Sequence, residues 1–355
     1  MDKKKLLGIA ILISVVTSAL LIVFTADRQT LDAVLSVRLE YIIAAVFIHI
    51  FAYYLTSKKT QHLCSAIGCK ISSKNAFFNT ISGLFIAALT PSSAGGEPIR
   101  ILLLKRSSEI PVGKGTAVVI MERMIDGFLV LILLIPSFFI VNKYVEKSGV
   151  STNITNFMLL VSVLCVVFVV LLLIYMLRKP ENTYKIFEKL IDFVNKVTKK
   201  KYEEKLIYAK QRIGEEMKLF YESFNTLIRS GKFSLFMSFI FTLLSWTGHF
   251  SIIWFILKGL NFNESFVSIF PIMCATQIML LLITAIPTTP GSSGIAEIGG
   301  YTLFSLFIPV KILAVVVIVW RAITYYVNII VGALANAIAV KKFGIDFLNN
   351  PQKCQ

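Results

Sequence analysis

Pro91-Ser92-Ser93-Ala94-Gly95-Gly96-Glu97 and Pro290-Gly291-Ser292-Ser293-Gly294-Ile295-Ala296-Glu297 decide how this chain folds. Each interrupts an apolar run: Phe77–Leu89 leads into the first, Phe266–Ile286 into the second. Each is followed by a shorter apolar piece, Ile99–Leu104 and Tyr301–Val310. Proline and glycine do not continue a helix. A short helix, a break and a short return describe a re-entrant hairpin. Non-helical backbone survives at membrane depth only when it is buried in protein or lines a cavity. The expected breaks are Pro91, Gly95 and Gly96 in one hairpin, and Pro290, Gly291 and Gly294 in the other.

The two segments are copies. Downstream of them, residues 110–123 (IPVGKGTAVVIMER) align without a gap to 308–321 (IPVKILAVVVIVWR), with seven of fourteen positions identical, including Arg123 and Arg321. Val and Ile matches are common in apolar sequence. The ordered set of Pro, Ser, Gly, Glu, Ile-Pro-Val and Arg carries the repeat.

Composition agrees. Of 355 residues, 56% are hydrophobic and 16% charged, with mean hydropathy +0.77. That excludes an ordinary soluble, fibrous, disordered or disulfide-stapled chain. Full spans are expected at Leu6–Phe24, Tyr41–Leu55, Thr116–Ile140, Phe157–Leu177, Phe233–Leu257 and Leu313–Val340. The first resembles a signal peptide, but its 19 residues and the lack of a good cleavage site favour a span. The expected fold is therefore all-α and polytopic, with six full spans and two re-entrant hairpins in an inverted-topology repeat. Residues 1–177 form the first half and 233–340 the second, within one membrane domain over 1–355.

Net charge is +16. The basic residues lie between apolar runs, which points to topology and anionic lipid rather than nucleic acid. Lys3–Lys5, Lys58, Lys59, Lys70, Lys74, Lys105, Arg106, the 178–232 segment, Lys341 and Lys342 fall on one side. The positive-inside rule then places both termini in the cytoplasm, in the cell membrane. Two N-x-S/T triplets, at Asn153 and Asn263, fall outside. The first hairpin opens from the cytoplasm and the second from outside, so the copies are inverted. Paired, interrupted segments in inverted repeats mark a transporter whose binding site lies between the repeats.

Residues 178–232 hold 14 Lys/Arg and 8 Asp/Glu. Ile186, Leu190, Phe193 and Val197 make one apolar stripe; Leu206, Ile213, Met217, Phe220, Phe224 and Leu227 make another. A helical hairpin on the inner membrane surface is expected, with a partner-docking role as the alternative.

Charge within spans is costly and faces a cavity or a partner. The candidates are Glu97, Arg100, Glu122, Arg123, Asp126, Glu297 and Arg321. Glu97 and Arg100, like Arg123 and Asp126, are spaced to pair along a helix. Each half supplies one hairpin glutamate and one span arginine, which suggests crossed ion pairs. Arg100, Arg123 and Arg321 are candidates for holding a lipid phosphate, which a planar guanidinium binds through two parallel hydrogen bonds. His49 and His249 are either helix–helix hydrogen bonds or proton carriers. Tyr325, Tyr326, Trp246 and Trp254 are expected to pack or to anchor at the interface.

Other chemistry lacks its residues. His62, Cys64 and Cys69 share a basic loop but have no fourth metal ligand, so no metal is expected. Gly291-Ser292-Ser293-Gly294 has the form used by intramembrane serine proteases, yet no histidine follows His249. There is no H-E-x-x-H motif and no P-loop. No cofactor and no enzymatic activity are expected.

Pro91…Gly96-Glu97-x-x-Arg100, then Glu122-Arg123-x-x-Asp126, then Pro290-Gly291-x-x-Gly294-x-x-Glu297 resemble the lysylphosphatidylglycerol synthase transmembrane family, the flippase-like part of multiple peptide resistance factor. The resemblance covers nearly the whole chain. It implies translocation of an aminoacylated phospholipid or a polyprenyl-phosphate sugar, and singles out Glu97, Arg100, Glu122, Arg123, Asp126 and Glu297. With no soluble transferase domain before Gln355, the chain is not expected to make lysyl lipid, and a separately encoded lipid-modifying enzyme is a candidate partner. A small-anion carrier or channel and a non-transporting scaffold are the alternative functions.

Overall fold

The computed structural model describes residues 37–90, 95–147, 175, 203–284, 289 and 291–343. The expected spans Leu6–Phe24 and Phe157–Leu177, the stripe from Ile186 to Val197, and the break residues Pro91 and Pro290 lie outside them, Tyr175 excepted. All elements in the described residues are helical: α1 Leu39–Ala66, α2 Ser73–Leu89, α3 Gly96–Ser108, α4 Val112–Lys147, α5 Glu203–Arg229, α6 Lys232–Gly259, α7 Phe266–Thr284, α8 Ile295–Phe304, α9 Val310–Arg321 and α10 Val327–Phe343. A π-helical turn, Ala322–Tyr326, joins α9 to α10.

Five of these stretches are long and apolar enough to cross a membrane: α1, α4, α6, α7 and the continuous Val310–Ile338. Four of the six expected full spans are thus matched. The fifth, α7, had been expected as half of a re-entrant hairpin. Its 19 residues extend for about 28 Å at 1.5 Å per residue, close to the thickness of a hydrocarbon core. The helices also run further than their apolar cores. α1 continues through Lys58, Lys59 and Cys64 to Ala66, so those residues sit on a helix rather than in the expected basic loop.

Both interrupted segments fold back as helix pairs. In the first, Asn75 Nδ2 donates to Ser107 O at 2.9 Å and Asn79 Nδ2 to Arg100 O at 2.6 Å, which fixes α2 and α3 antiparallel. In the second, Ser292 Oγ donates to Thr284 O at 3.0 Å, and Gly299 and Gly300 lie against Leu280. The return helices start earlier than the apolar residues suggest, at Gly96 and Ile295, because each places a glutamate in its first turn. A carboxylate there meets the positive end of the helix dipole. Gly294 N–H donates to Glu297 Oε2 at 2.7 Å. The piece expected over Tyr301–Val310 is divided: α8 stops at Phe304, and the chain turns through Ser305–Pro309 into α9.

The packing between halves is reciprocal. α1 and α6, each of 28 residues, pair along their length. Arg38 N–H donates to Gly259 O at 2.8 Å, Ser245 Oγ to Ala52 O at 2.9 Å, and His62 meets Phe241, so the two run antiparallel. α4 packs on α7, and α10 packs on α2. The main core joins Ile252, Ile256, Leu257, Met273, Phe304, Leu313 and Val316. A second core beneath α5 joins Leu63, Leu104, Ile110, Val118, Phe224 and Leu227. The Phe220, Phe224 and Leu227 part of the α5 stripe is therefore used against the protein, with Glu216 Oε2 accepting from Gly113 N at 2.6 Å.

Candidate functional site

Sequence places the candidate charges on four helices, α3, α4, α8 and α9, and packing brings those helices to one cavity of about 440 Å³. Its walls come from α1, α2, α3, α4, α6, α7, α8 and the α9–π junction. Polar walls alternate with Leu84, Phe250, Leu280 and Trp320.

The first-half charges form one network. Arg100 Nη2 meets Glu122 Oε2 at 2.6 Å and Arg100 Nη1 meets Glu97 Oε2 at 3.3 Å. Asn79 Oδ1 and Thr60 Oγ1 accept its remaining bonds at 3.0 and 3.1 Å. Arg123 lies between Glu97 Oε1 at 3.4 Å and Asp126 Oδ2 at 3.1 Å. Lys59 Nζ closes the network on Asp126 Oδ1 at 2.6 Å. Three cations face three carboxylates, which is how charge is held away from water at tolerable cost.

The second-half charges form a smaller copy. Arg321 Nε meets Glu297 Oε1 at 3.0 Å, its Nη2 donates to Gly291 O at 2.8 Å, and its guanidinium stacks over Tyr325. The aligned pairs Glu97–Arg123 and Glu297–Arg321 are thus both ion-paired, each within its own half. The expected crossing between halves does not occur, because each return helix packs beside the helix that follows it in sequence.

The two breaks meet at the cavity. Gly291 N–H donates to Thr90 O at 3.4 Å, and Tyr325 Oη donates to Ala88 O at 3.3 Å. Gly291 has φ +59°, and a Cβ there would sit 2.5 Å from the Tyr325 ring and 2.9 Å from Ala88 O. Only glycine fits that close approach.

Exposure separates the candidate arginines. Arg100 and Arg321 are nearly buried at 5% and 8%, while Arg123 is 49% exposed and Glu97 35%. Glu122 is fully buried behind Arg100. The seven charged candidates are all brought to this cavity or directly behind it. Gly95 and Gly96 are drawn in against Thr90 and Gly83 respectively.

Lys59 was missed as a site residue, since it sits beside Lys58 and reads as a topology signal. The available clue is spacing: His49, Tyr53, Thr56 and Lys59 recur along one face of α1. Asn328 was missed too. His49 Nε2 lies 2.9 Å from Asn328 Oδ1, linking α1 to α10. Trp246 and Tyr325 line or close the cavity, while Trp254 carries Lys258 over its ring near the helix end. Among the described residues no three His, Cys, Asp or Glu side chains group as a metal site, and Cys64 is buried in α1.

Apolar helices around charge-paired, interrupted segments define a polytopic α-helical membrane protein with an internal polar cavity. The chain matches the family described as lysylphosphatidylglycerol synthase TM region over residues 8–332 and belongs to it. It is 28% identical to a UPF0104 membrane protein of Archaeoglobus fulgidus over 329 residues, covering 92% of this chain and 95% of that protein. It is 26% identical over 306 residues to a UPF0104 membrane protein of Methanocaldococcus jannaschii, covering 84% of each.

Proposed function

We propose that this protein moves a lipid between leaflets, passing the phosphate-bearing headgroup of a phospholipid or polyprenyl-phosphate lipid through the cavity while the chains stay in the bilayer. The observation that carries this is the convergence of two repeated Glu–Arg constellations on one cavity where two hairpin breaks touch. Repeat interfaces of this kind hold substrate sites in transporters. Reciprocal pairing of α1 with α6, α4 with α7 and α10 with α2 supports a two-fold relation between halves. Because the corresponding helices α1 and α6 run antiparallel, the axis lies across them, which supports an inverted repeat.

Within the site, Arg123 is the cation that meets the headgroup. Arg100 and Arg321 hold the hairpins to the following helices. No chemical step is assigned to the chain. Its partners are anionic membrane lipids and, through them, a separately encoded lipid-modifying enzyme. It sits in the cell membrane with both termini cytoplasmic.

The test is leaflet exchange in liposomes carrying a trace of fluorescent phosphatidylglycerol, challenged with a membrane-impermeant quencher. Quenching beyond the outer leaflet, lost in both Glu97→Gln and Arg123→Gln, is the expected result. Quenching that stops at the outer leaflet with verified insertion overturns phospholipid exchange and leaves a small anion as the cargo to try next.

A further inference from the structure

Two imidazoles lie in the cavity wall. His49 of α1 and His249 of α6 have ring centroids 5.2 Å apart, and Tyr53 stands 4.7 and 4.9 Å from them. His49 is 1% exposed.

The hydrogen bonds fix its tautomer. Asn328 Nδ2 donates to Thr324 O at 2.6 Å and to Tyr53 Oη at 3.0 Å. Its Oδ1 is therefore the acceptor facing His49 Nε2, and Nε2 carries the hydrogen. Nδ1 is then a bare lone pair, and it is buried without a hydrogen-bond partner. An unsatisfied buried acceptor is costly, and such groups call for a functional explanation.

We infer that the His49–His249 pair is a proton-binding site coupled to transport, with His49 Nδ1 the atom that takes the proton from cavity water. This rests on the transport function proposed above. Protonation forms an imidazolium whose Nε2–H stays on Asn328 and whose new Nδ1–H donates to cavity water. The groups around it are Tyr53 on the same helix, Trp246 beside His249 on α6, Asn328 on α10, and Asp126 on α4, whose charge acts on His249. Lys59 lies ten residues further along α1, about 15 Å away at 1.5 Å per residue, so its charge is distant.

The sign of coupling follows from charge. Cavity cations and carboxylates are matched in the ion pairs, so one added proton leaves the site positive. A bound proton and an anionic headgroup therefore favour each other, and the effect is reciprocal.

Two measurements test this. Exchange of a short-chain fluorescent phosphatidylglycerol, followed by albumin back-extraction, is measured from pH 8 to pH 3. Wild type is expected to speed up by about fivefold or more as pH falls. His49→Gln, which keeps a side-chain amide toward Asn328, is expected to be flat. Separately, tryptophan fluorescence of purified protein in detergent is titrated. A transition present in wild type and absent from both His49→Gln and His249→Gln is expected, since Trp246 adjoins His249. Exchange that persists without pH dependence overturns the proton site and leaves lipid transport standing. No exchange at any pH, with the histidine-dependent transition present, supports proton binding and overturns the transport function. Absence of that transition overturns the proton site regardless of transport.

Discussion

Arg100 and Arg123 differ by one property that sets their expected behaviour. Arg100 is buried against Glu122, itself wholly buried, so Arg100→Gln takes away that carboxylate's 2.6 Å partner and leaves it only Arg123 at 4.0 Å. Breaking such a pair costs about 3–5 kcal/mol. Arg123 is half-exposed, and its pairs with Glu97 and Asp126 are worth about 1 kcal/mol or less each. Thermal unfolding in detergent is expected to show Arg100→Gln far below wild type and Arg123→Gln close to it, with both failing in leaflet exchange. At this scale the sequence was informative wherever a charge interrupted an apolar run, as at Glu97, Glu122, Arg123 and Glu297. It was silent at Lys59, whose neighbour Lys58 belongs to the membrane edge. It was silent again at Asn328, because an uncharged amide changes hydropathy little. The network role of Lys59 depends on α1 continuing past its apolar stretch, which the helical spacing from His49 implies but apolar run length does not.

Among the elements, α5 is held by unusually close backbone contact. Gly113, in the first turn of α4, packs against the backbone of Glu216 with no room for a Cβ, and its N–H is capped by the Glu216 carboxylate. Gly113→Ala must push α5 off the end of α4. Limited proteolysis is expected to cut within residues 203–229 faster in Gly113→Ala than in wild type. Gly115→Ala serves as a control, since its Cβ would make only ordinary contacts of 3.5 Å or more. The apolar stripe from Phe220 to Leu227 was legible as an amphipathic helix. Its target was not, because a stripe of that width suits a membrane surface or a protein face equally. Helix starts were similarly shifted: apolar runs mark where lipid or core begins, whereas Gly96 and Ile295 begin helices where a first-turn glutamate meets free N–H groups.

For the molecule as a whole, reciprocal contacts between halves lead to a directional expectation. If the halves are inverted, equivalent turns face opposite sides of the membrane. Arg106, near the end of α3, and Ser305, just past α8, occupy corresponding exposed positions. In a chain with its native cysteines replaced, an impermeant thiol reagent applied to intact cells is expected to label Ser305→Cys and to miss Arg106→Cys until the cells are opened. Labelling both from one side would show that the repeats are parallel. The duplication was legible because Ile-Pro-Val and the trailing arginine are retained in order. The antiparallel seam of α1 and α6 was not, since neither helix carries a recognisable shared motif.

The π-helical turn after Arg321 has a consequence for how alike the two halves remain. α4 runs on from Arg123 as uninterrupted α-helix, whereas its counterpart takes in a wide turn at Ala322–Tyr326. One extra residue rotates everything beyond it by about 100°, from 3.6 residues per turn. The gap-free alignment of the copies therefore stops being a guide to facing at Arg321. Past that point, side chains at matched positions look in different directions, and Asn328 is brought round to His49. A swap of the second half's segment for the first half's would restore symmetry in the sequence and sever that link.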